Sequence, residues 1–241
     1  MNMKKMTVAV LFLAIAVLLT GCMYPANERV ENQMPHLDQL LTVQTAIERY
    51  QEASGGLLPI KTRDMDEDQY IKYPIDFSKL MPDFLSEMPS NAYESGGIFQ
   101  YVIMDVEENP TVKLVDLRIA EAIRSINVRK AANGGRAPVE EVIADNVFKL
   151  NYSAMGFNGE QFVTSPYSGR NLPMVINGRG DVFVDYSMDL FTELQDYDGE
   201  LEEGEDIRFL LFEESPIVPA YSLPYTVNEQ NEPIFNNSEN R

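Results

Sequence analysis

Residues 37–59 read LDQLLTVQTAIERYQEASGGLLP, and this stretch sets the fold. Leu37, Leu40, Leu41, Ala46, Ile47 and Tyr50 recur near helical spacing, with Val43 and Thr45 filling in. Glu48, Arg49, Gln51 and Glu52 supply the polar side, so the spacing predicts a helix over 37–53. Gly55 and Gly56 stop it, because glycine takes the left-handed C-terminal conformation at little cost, and Pro59 blocks renewal. The same punctuation returns at Gly134-Gly135-Arg136-Ala137-Pro138. It follows a second helical pattern that runs from Thr111 or Lys113 to Ala132 through Leu114, Leu117, Ala120, Ile123, Val128 and Ala131. Aligning Gly55 with Gly134 places Leu40 on Ile119, Val43 on Ala122, Ile47 on Ile126 and Ala53 on Ala132. Ordinary helix-stop chemistry explains the glycines alone; the matching apolar positions point to a duplication.

The remaining segments are shorter. Phe77 to Leu85 predicts a helical turn limited by Pro82, and Ile98 to Val106 a strand closed by Asn109-Pro110. Val139 to Ala144 reads as a further turn, and Phe148 to Met155 and Gln161 to Thr164 as strands. Met174-Val175-Ile176, the turn Asn177-Gly178-Arg179-Gly180, and Asp181 to Tyr186 form the clearest hairpin. An acidic run covers 193–206, and Ile207 to Phe212 is a strand candidate. From Ser215 the chain is punctuated by Pro216, Pro219, Pro224 and Pro233, which predicts an extended segment packed on the domain and a disordered end from about Asn236. The expected fold is α+β, with two tandem modules (37–110 and 111–214), each a helix packed on a small antiparallel sheet, and an extension over 215–241.

The amino terminus carries an address. Lys4 and Lys5 precede an apolar run from Met6 to Leu19, which is shorter than the roughly 20 residues that span a bilayer. The run ends at Leu19-Thr20-Gly21-Cys22, and Cys22 is the only cysteine in the chain. This stretch resembles the lipobox of bacterial lipoprotein precursors, where small residues let a peptidase reach the bond before the cysteine. The resemblance implies removal of residues 1–21 and diacylglycerol on the Cys22 sulfur, with palmitate as a usual acyl chain. It also implies a lipidated tether over 22–36 and a place on the cell membrane, facing away from the cytoplasm. Two acyl chains anchor stably where one does not. A cleaved secretory signal with an incidental cysteine and a plain anchor helix are the alternatives. Without a second cysteine the exported domain is held by its core and not by disulfides.

A second resemblance lies in residues 40–103. Ala46-Ile47-Glu48-Arg49-Tyr50, the Gly56 to Pro59 stop, Leu80 to Leu85, the Pro89 to Tyr93 loop and the strand ending Tyr101-Val102-Ile103 are similar to the soluble part of type II secretion pseudopilins. Those proteins imply a helix laid on a sheet. Their prepilin cleavage site is replaced here by the lipobox, which separates this chain from filament assembly.

Charge and residue inventory bound the function. Against 38 Asp and Glu stand 19 Lys and Arg, a net charge of −19. That balance argues against a phosphate-binding nucleic-acid surface and against electrostatic docking on anionic lipid. His36 is the only histidine, so Ser-His and Cys-His nucleophilic sets lack their parts. No catalytic residues and no cofactor are therefore expected. Carboxylates are plentiful enough for a glycosidase-like pair. Asp64-Met65-Asp66-Glu67-Asp68 opens like a calcium loop, but Gln69 and Ile75 stand where that loop needs glycine and a bidentate glutamate. Asp196, Asp198 and Glu200, alternating around Gly199, are the better candidate calcium ligands, although a solvated acidic loop has the same composition. Arg179-Gly180-Asp181 spells an adhesion tripeptide that a hairpin turn already explains.

The expected function is a noncatalytic binding or envelope-assembly domain, partnered by the membrane through Cys22 and by an envelope protein. The build resembles lipoproteins of Bacillus-like Gram-positive bacteria. The alternatives are a transporter substrate-binding lipoprotein and a carboxylate-dependent envelope hydrolase. Against the former, the sequence shows no repeating strand–helix pattern of a parallel sheet.

Overall fold

The computed structural model describes residues 35–61, 63, 68–202 and 204–236. Cys22, the tether to Met34 and Asp64 to Glu67 lie outside the described residues, as does the chain beyond Asn236.

The first helix, α1 (Leu37–Ala53), follows its sequence pattern and buries Val43, Ala46 and Ile47. The Gly56 N–H closes it on the Gln51 carbonyl at 2.8 Å. A short α2 (Phe77–Leu80) follows, capped by the Asp76 carboxylate. Then β1 (Phe99–Met104) and β2 (Thr111–Asp116) pair antiparallel, with Tyr101 opposite Leu114. Phe99, Tyr101 and Ile103 of β1 face the cluster that holds α1, while Val102 faces a second cluster with Tyr70, Ile71 and Val115. The period of two thus buries both faces of the hairpin.

The second helix is shorter than its pattern. Thr111 to Asp116 belong to β2, and α3 (Leu117–Ala132) begins where the Asp116 carboxylate accepts the Arg118 N–H at 3.0 Å. The alternation Val112, Leu114 on one face and Val115 on the other serves a strand; continuity of Leu114 with Leu117 hid it. The expected boundary at 110/111 therefore falls between two strands of one hairpin. The Gly135 N–H closes α3 on the Lys130 carbonyl, the same five-residue reach as Gly56 to Gln51.

A five-stranded antiparallel sheet follows, with β3 (Val139–Ala144), β4 (Val147–Leu150), β5 (Phe162–Thr164), β6 (Asn171–Asn177) and β7 (Val182–Val184). The order is β3-β4-β6-β5, with β7 also on β6. The segment expected as a turn, 139–144, is an edge strand whose residues are almost all exposed. Its reversal uses Asn146 at φ 57°, a left-handed residue that asparagine tolerates. Helix α3 lies on β5 and β7, burying Ile119, Ile123 and Ile126 against Leu172, Met174 and Val184. Next come α4 (Ser187–Asp196) and α5 (Phe209–Phe212). The latter overturns the strand expected at 207–212, because a four-residue apolar run carries no period to separate the two.

The alignment of Gly55 with Gly134 sets α1 on α3 and matches the buried Ile47 to the buried Ile126, while Val43 is buried and its counterpart Ala122 only half-buried. It does not carry into the sheets, where it would set β1 on the β6–β7 turn. A different likeness is visible there. Each of the hairpins β1–β2 and β6–β7 runs into an aspartate that accepts the N–H two residues on, and then into a helix. Asp116 accepts from Arg118 at 3.0 Å and Asp185 from Ser187 at 2.9 Å.

The C-terminal segment is the piece that joins the two sheets. Ile217 bridges Leu114 in parallel, with Leu114 N–H to Pro216 and Val218 N–H to Leu114 at 2.8 and 2.9 Å. Five residues after Ile217, Ser222 bridges Val184, and the Val184 N–H donates to Tyr221 at 2.8 Å. Residues 216–222 therefore extend β2 and then β7, as a strap across both halves. Ile217 enters the α1 cluster and Val218 the second one, so the strap alternates like a strand. A last hairpin, β8 (Tyr225–Val227) with β9 (Pro233–Phe235), completes the α+β fold.

Candidate binding clefts beside the strap

A buried polar network fixes the strap. Arg208, 5% exposed, donates through Nε and Nη2 to both oxygens of Asp206 at 2.6–3.0 Å. Its Nη1 donates to the Ser222 carbonyl and hydroxyl at 2.9 and 3.1 Å, and its guanidinium stacks 5.0 Å from the Tyr70 ring centre. Burial works against this charge, but the Asp206 bond and the neighbouring Tyr70 and Asp68 outweigh it, so the Arg208 pKa is raised. Asp68 accepts the Tyr221 N–H at 2.7 Å. Nearby, the Tyr225 hydroxyl donates to Asp185 at 2.8 Å and accepts from the Tyr186 N–H at 3.0 Å. Asp189, 2% exposed, accepts from Ser165 and Ser168 at 2.6 and 2.5 Å. Burial pushes the Tyr167, Tyr186 and Tyr225 hydroxyls well above their ordinary range.

A cleft of about 810 Å³ opens where this seam meets α3. Ile98 and Leu117 give it apolar lining, and Arg63, Tyr93, Gln100, Arg118, Glu121 and Tyr221 its polar groups. Arg63 donates to Gln100 at 3.3 Å. The Arg118 guanidinium forks onto Asp116, with its side chain half exposed. That bond raises the Arg118 pKa, against an opposing contribution from burial. Tyr93 is 65% exposed, in a 3-10 turn over Tyr93–Ser95. The loop under it is rigidly built. Asn91 is fully buried and accepts the Tyr101 hydroxyl at 2.7 Å, and Gly97 packs so closely on the Asn91 backbone that no Cβ fits there. Two guanidiniums, an exposed tyrosine and an apolar lining suit a ligand with both flat apolar and acceptor groups.

A second cleft, about 610 Å³, is acidic. Glu193, Asp196, Glu213 and Glu214 line it with Tyr167, Tyr197 and Leu211. Burial, then Asp189, Asp196 and Glu214, push the Glu193 carboxyl above the usual range. Of the three candidate calcium ligands, Asp196 ends α4 on this cleft, while Asp198 and Glu200 lie exposed beyond it. Among the described residues no group of three acidic, histidine or cysteine side chains is arranged to hold a metal ion, so these three are not brought together. Arg179 and Asp181 pair with each other at 3.4 Å across the β6–β7 turn. His36 occupies the position before α1 without capping it by its side chain.

Neither cleft is announced by a local motif. Arg63, Tyr93, Arg118 and Tyr221 are scattered, and only the Pro89 to Tyr93 loop stands out in the sequence. Among the described residues no helix is long and apolar enough to cross a membrane. Comparison with curated proteins and with solved structures gives no match. One family model does match: residues 36–116, from the residue before α1 to the end of β2, are similar to the YphF family N-terminal domain.

Proposed function

We propose that the chain is a lipid-anchored, extracytoplasmic binding module, held at the bacterial cell membrane through Cys22 and taking its ligand in the cleft beside Tyr93 and Arg118. The lipobox at Leu19 to Cys22 supports the address. The observation that carries the binding role is the cleft itself: a pre-shaped loop presents an exposed tyrosine beside two guanidiniums. An envelope protein presenting an apolar residue flanked by carboxylate or carbonyl acceptors fits it. A photo-crosslinking residue in place of Tyr93 in cells tests this, with the same residue at exposed Val128 as control. A membrane-fraction adduct from position 93 alone, lost on Arg118→Glu, is expected. No adduct, or equal adducts from both positions, contradicts the reading.

The raised Glu193 carboxyl in the acidic cleft favours a second reading, a carboxylate-dependent envelope hydrolase. Turnover of cell-wall glycan by the purified chain, abolished in Glu193→Gln, would establish it; equal turnover in both proteins would remove it.

A further inference from the structure

The outward stripe of α1 changes character along its length. Leu37 and Leu41, one turn apart, are each 61% exposed, and Thr45 continues the stripe. Glu48, Arg49 and Glu52, also exposed, complete it at the far end. The Thr42 hydroxyl beside Leu41 donates to the Asp38 carbonyl at 2.7 Å, so its polarity is satisfied within the helix. Asp38 is the only charged residue between Leu37 and Ile47. The least charged end of α1 is thus the end that follows the tether. Residues 22–35 reach at most about 50 Å even when fully extended.

We propose that the first two turns of α1 rest on the outer membrane leaflet, with Leu37 and Leu41 entering its interfacial layer and orienting the domain. The proposal rests on the lipid-anchor reading given above. A contact this small is too weak to hold a protein on a bilayer alone. Beside an acyl anchor it becomes an intramolecular second contact, and effective concentration replaces affinity. The net charge of −19 disfavours anionic headgroups, so the surface engaged is apolar and zwitterionic.

The chain contains no tryptophan, so Leu41→Trp introduces a single fluorophore. Glu52→Trp places the same probe about 16 Å further along the helix. Each protein, lipidated in cells and carrying its whole mature chain, is reconstituted into phosphatidylcholine vesicles whose acyl chains are brominated. The expected result is that both proteins sediment with the vesicles, the probe at position 41 loses most of its fluorescence and the probe at position 52 keeps its own. Sedimentation without quenching at position 41 overturns the membrane contact alone, and a blue-shifted but unquenched probe there assigns the leucines to a protein surface instead. Equal quenching at the two positions overturns the tilted seat. Failure of both proteins to sediment removes the anchor reading, and this proposal with it.

Discussion

Arg208 reaches Ser222 twice, donating from Nη1 to its carbonyl at 2.9 Å and to its hydroxyl at 3.1 Å. The same guanidinium holds Asp206, so one side chain ties α5 to the strap. Arg208→Ala leaves the Ser222 carbonyl buried without this donor. Hydrogen bonds to charged groups contribute about 1.5–3 kcal/mol each, but Asp206 is 33% exposed and water recovers part of its loss. The expected cost is about 2–3 kcal/mol, read from urea unfolding midpoints. Arg208→Lys should not restore it, because an ammonium cannot fork onto Asp206 while reaching Ser222.

The strap closes two sheet edges, so its removal should expose them. In a chain truncated after Glu214, the Leu114 and Val184 amides lose their acceptors at Pro216 and Tyr221. Hydrogen exchange at these two positions should accelerate to the rate of an open edge, while α1 amides near Ile47 stay protected. Unchanged protection at Leu114 would show that the strap is not a strand in solution.

Part of this arrangement is legible in the sequence. The period of α1, its Gly55-Gly56 stop and the Asn-Gly hairpin are local signals, and each matches the element it predicts. The α+β class follows from them. Thr111 to Asp116 misleads because Leu114 and Leu117 continue the α3 spacing, although Thr-Val-Lys-Leu-Val already alternates as a strand does. Val139 to Ala144 carries two glutamates and buries almost nothing, so no core period marks it. Ser187 to Asp196 escapes notice, because its end is submerged in the acidic run. The prolines after Ser215 already mark an extended segment packed on the domain, but its pairing partners and both clefts are beyond reach, since joining Leu114 to Ile217 or setting Tyr93 and Arg118 around one cleft depends on tertiary contact alone.

Glycines test the rigidity of the Tyr93 loop. Gly97→Ala drives a methyl into the Asn91 backbone, which cannot move without disturbing the Tyr101 hydrogen bond. The expected loss is about 3 kcal/mol, the upper end for overpacking, together with loss of crosslinking from position 93. Gly55→Ala meets open space and only a left-handed backbone at φ 74°. It should cost about 1 kcal/mol and leave crosslinking intact.

Buried tyrosines predict alkaline instability. Burial, then Glu160, push the Tyr152 hydroxyl from 10.0 up to about 12, and burial also holds the Tyr167, Tyr186 and Tyr225 hydroxyls well above their ordinary range. These folded values exceed the unfolded value, so the folded state holds protons that the unfolded chain releases. The associated stability is complete below pH 10 and falls as pH rises towards 12 and beyond. Phenolate absorbance from these residues should appear together with loss of circular dichroism, not before it.

The address proposed for the chain, and with it the membrane contact of α1, depends on where Cys22 holds the chain. Radiolabelled palmitate fed to cells producing the full chain, or its Cys22→Ala variant, tests that most directly. The account predicts label in the wild-type membrane fraction, and none in the variant. Equal labelling of the two proteins, or none in either, would contradict it.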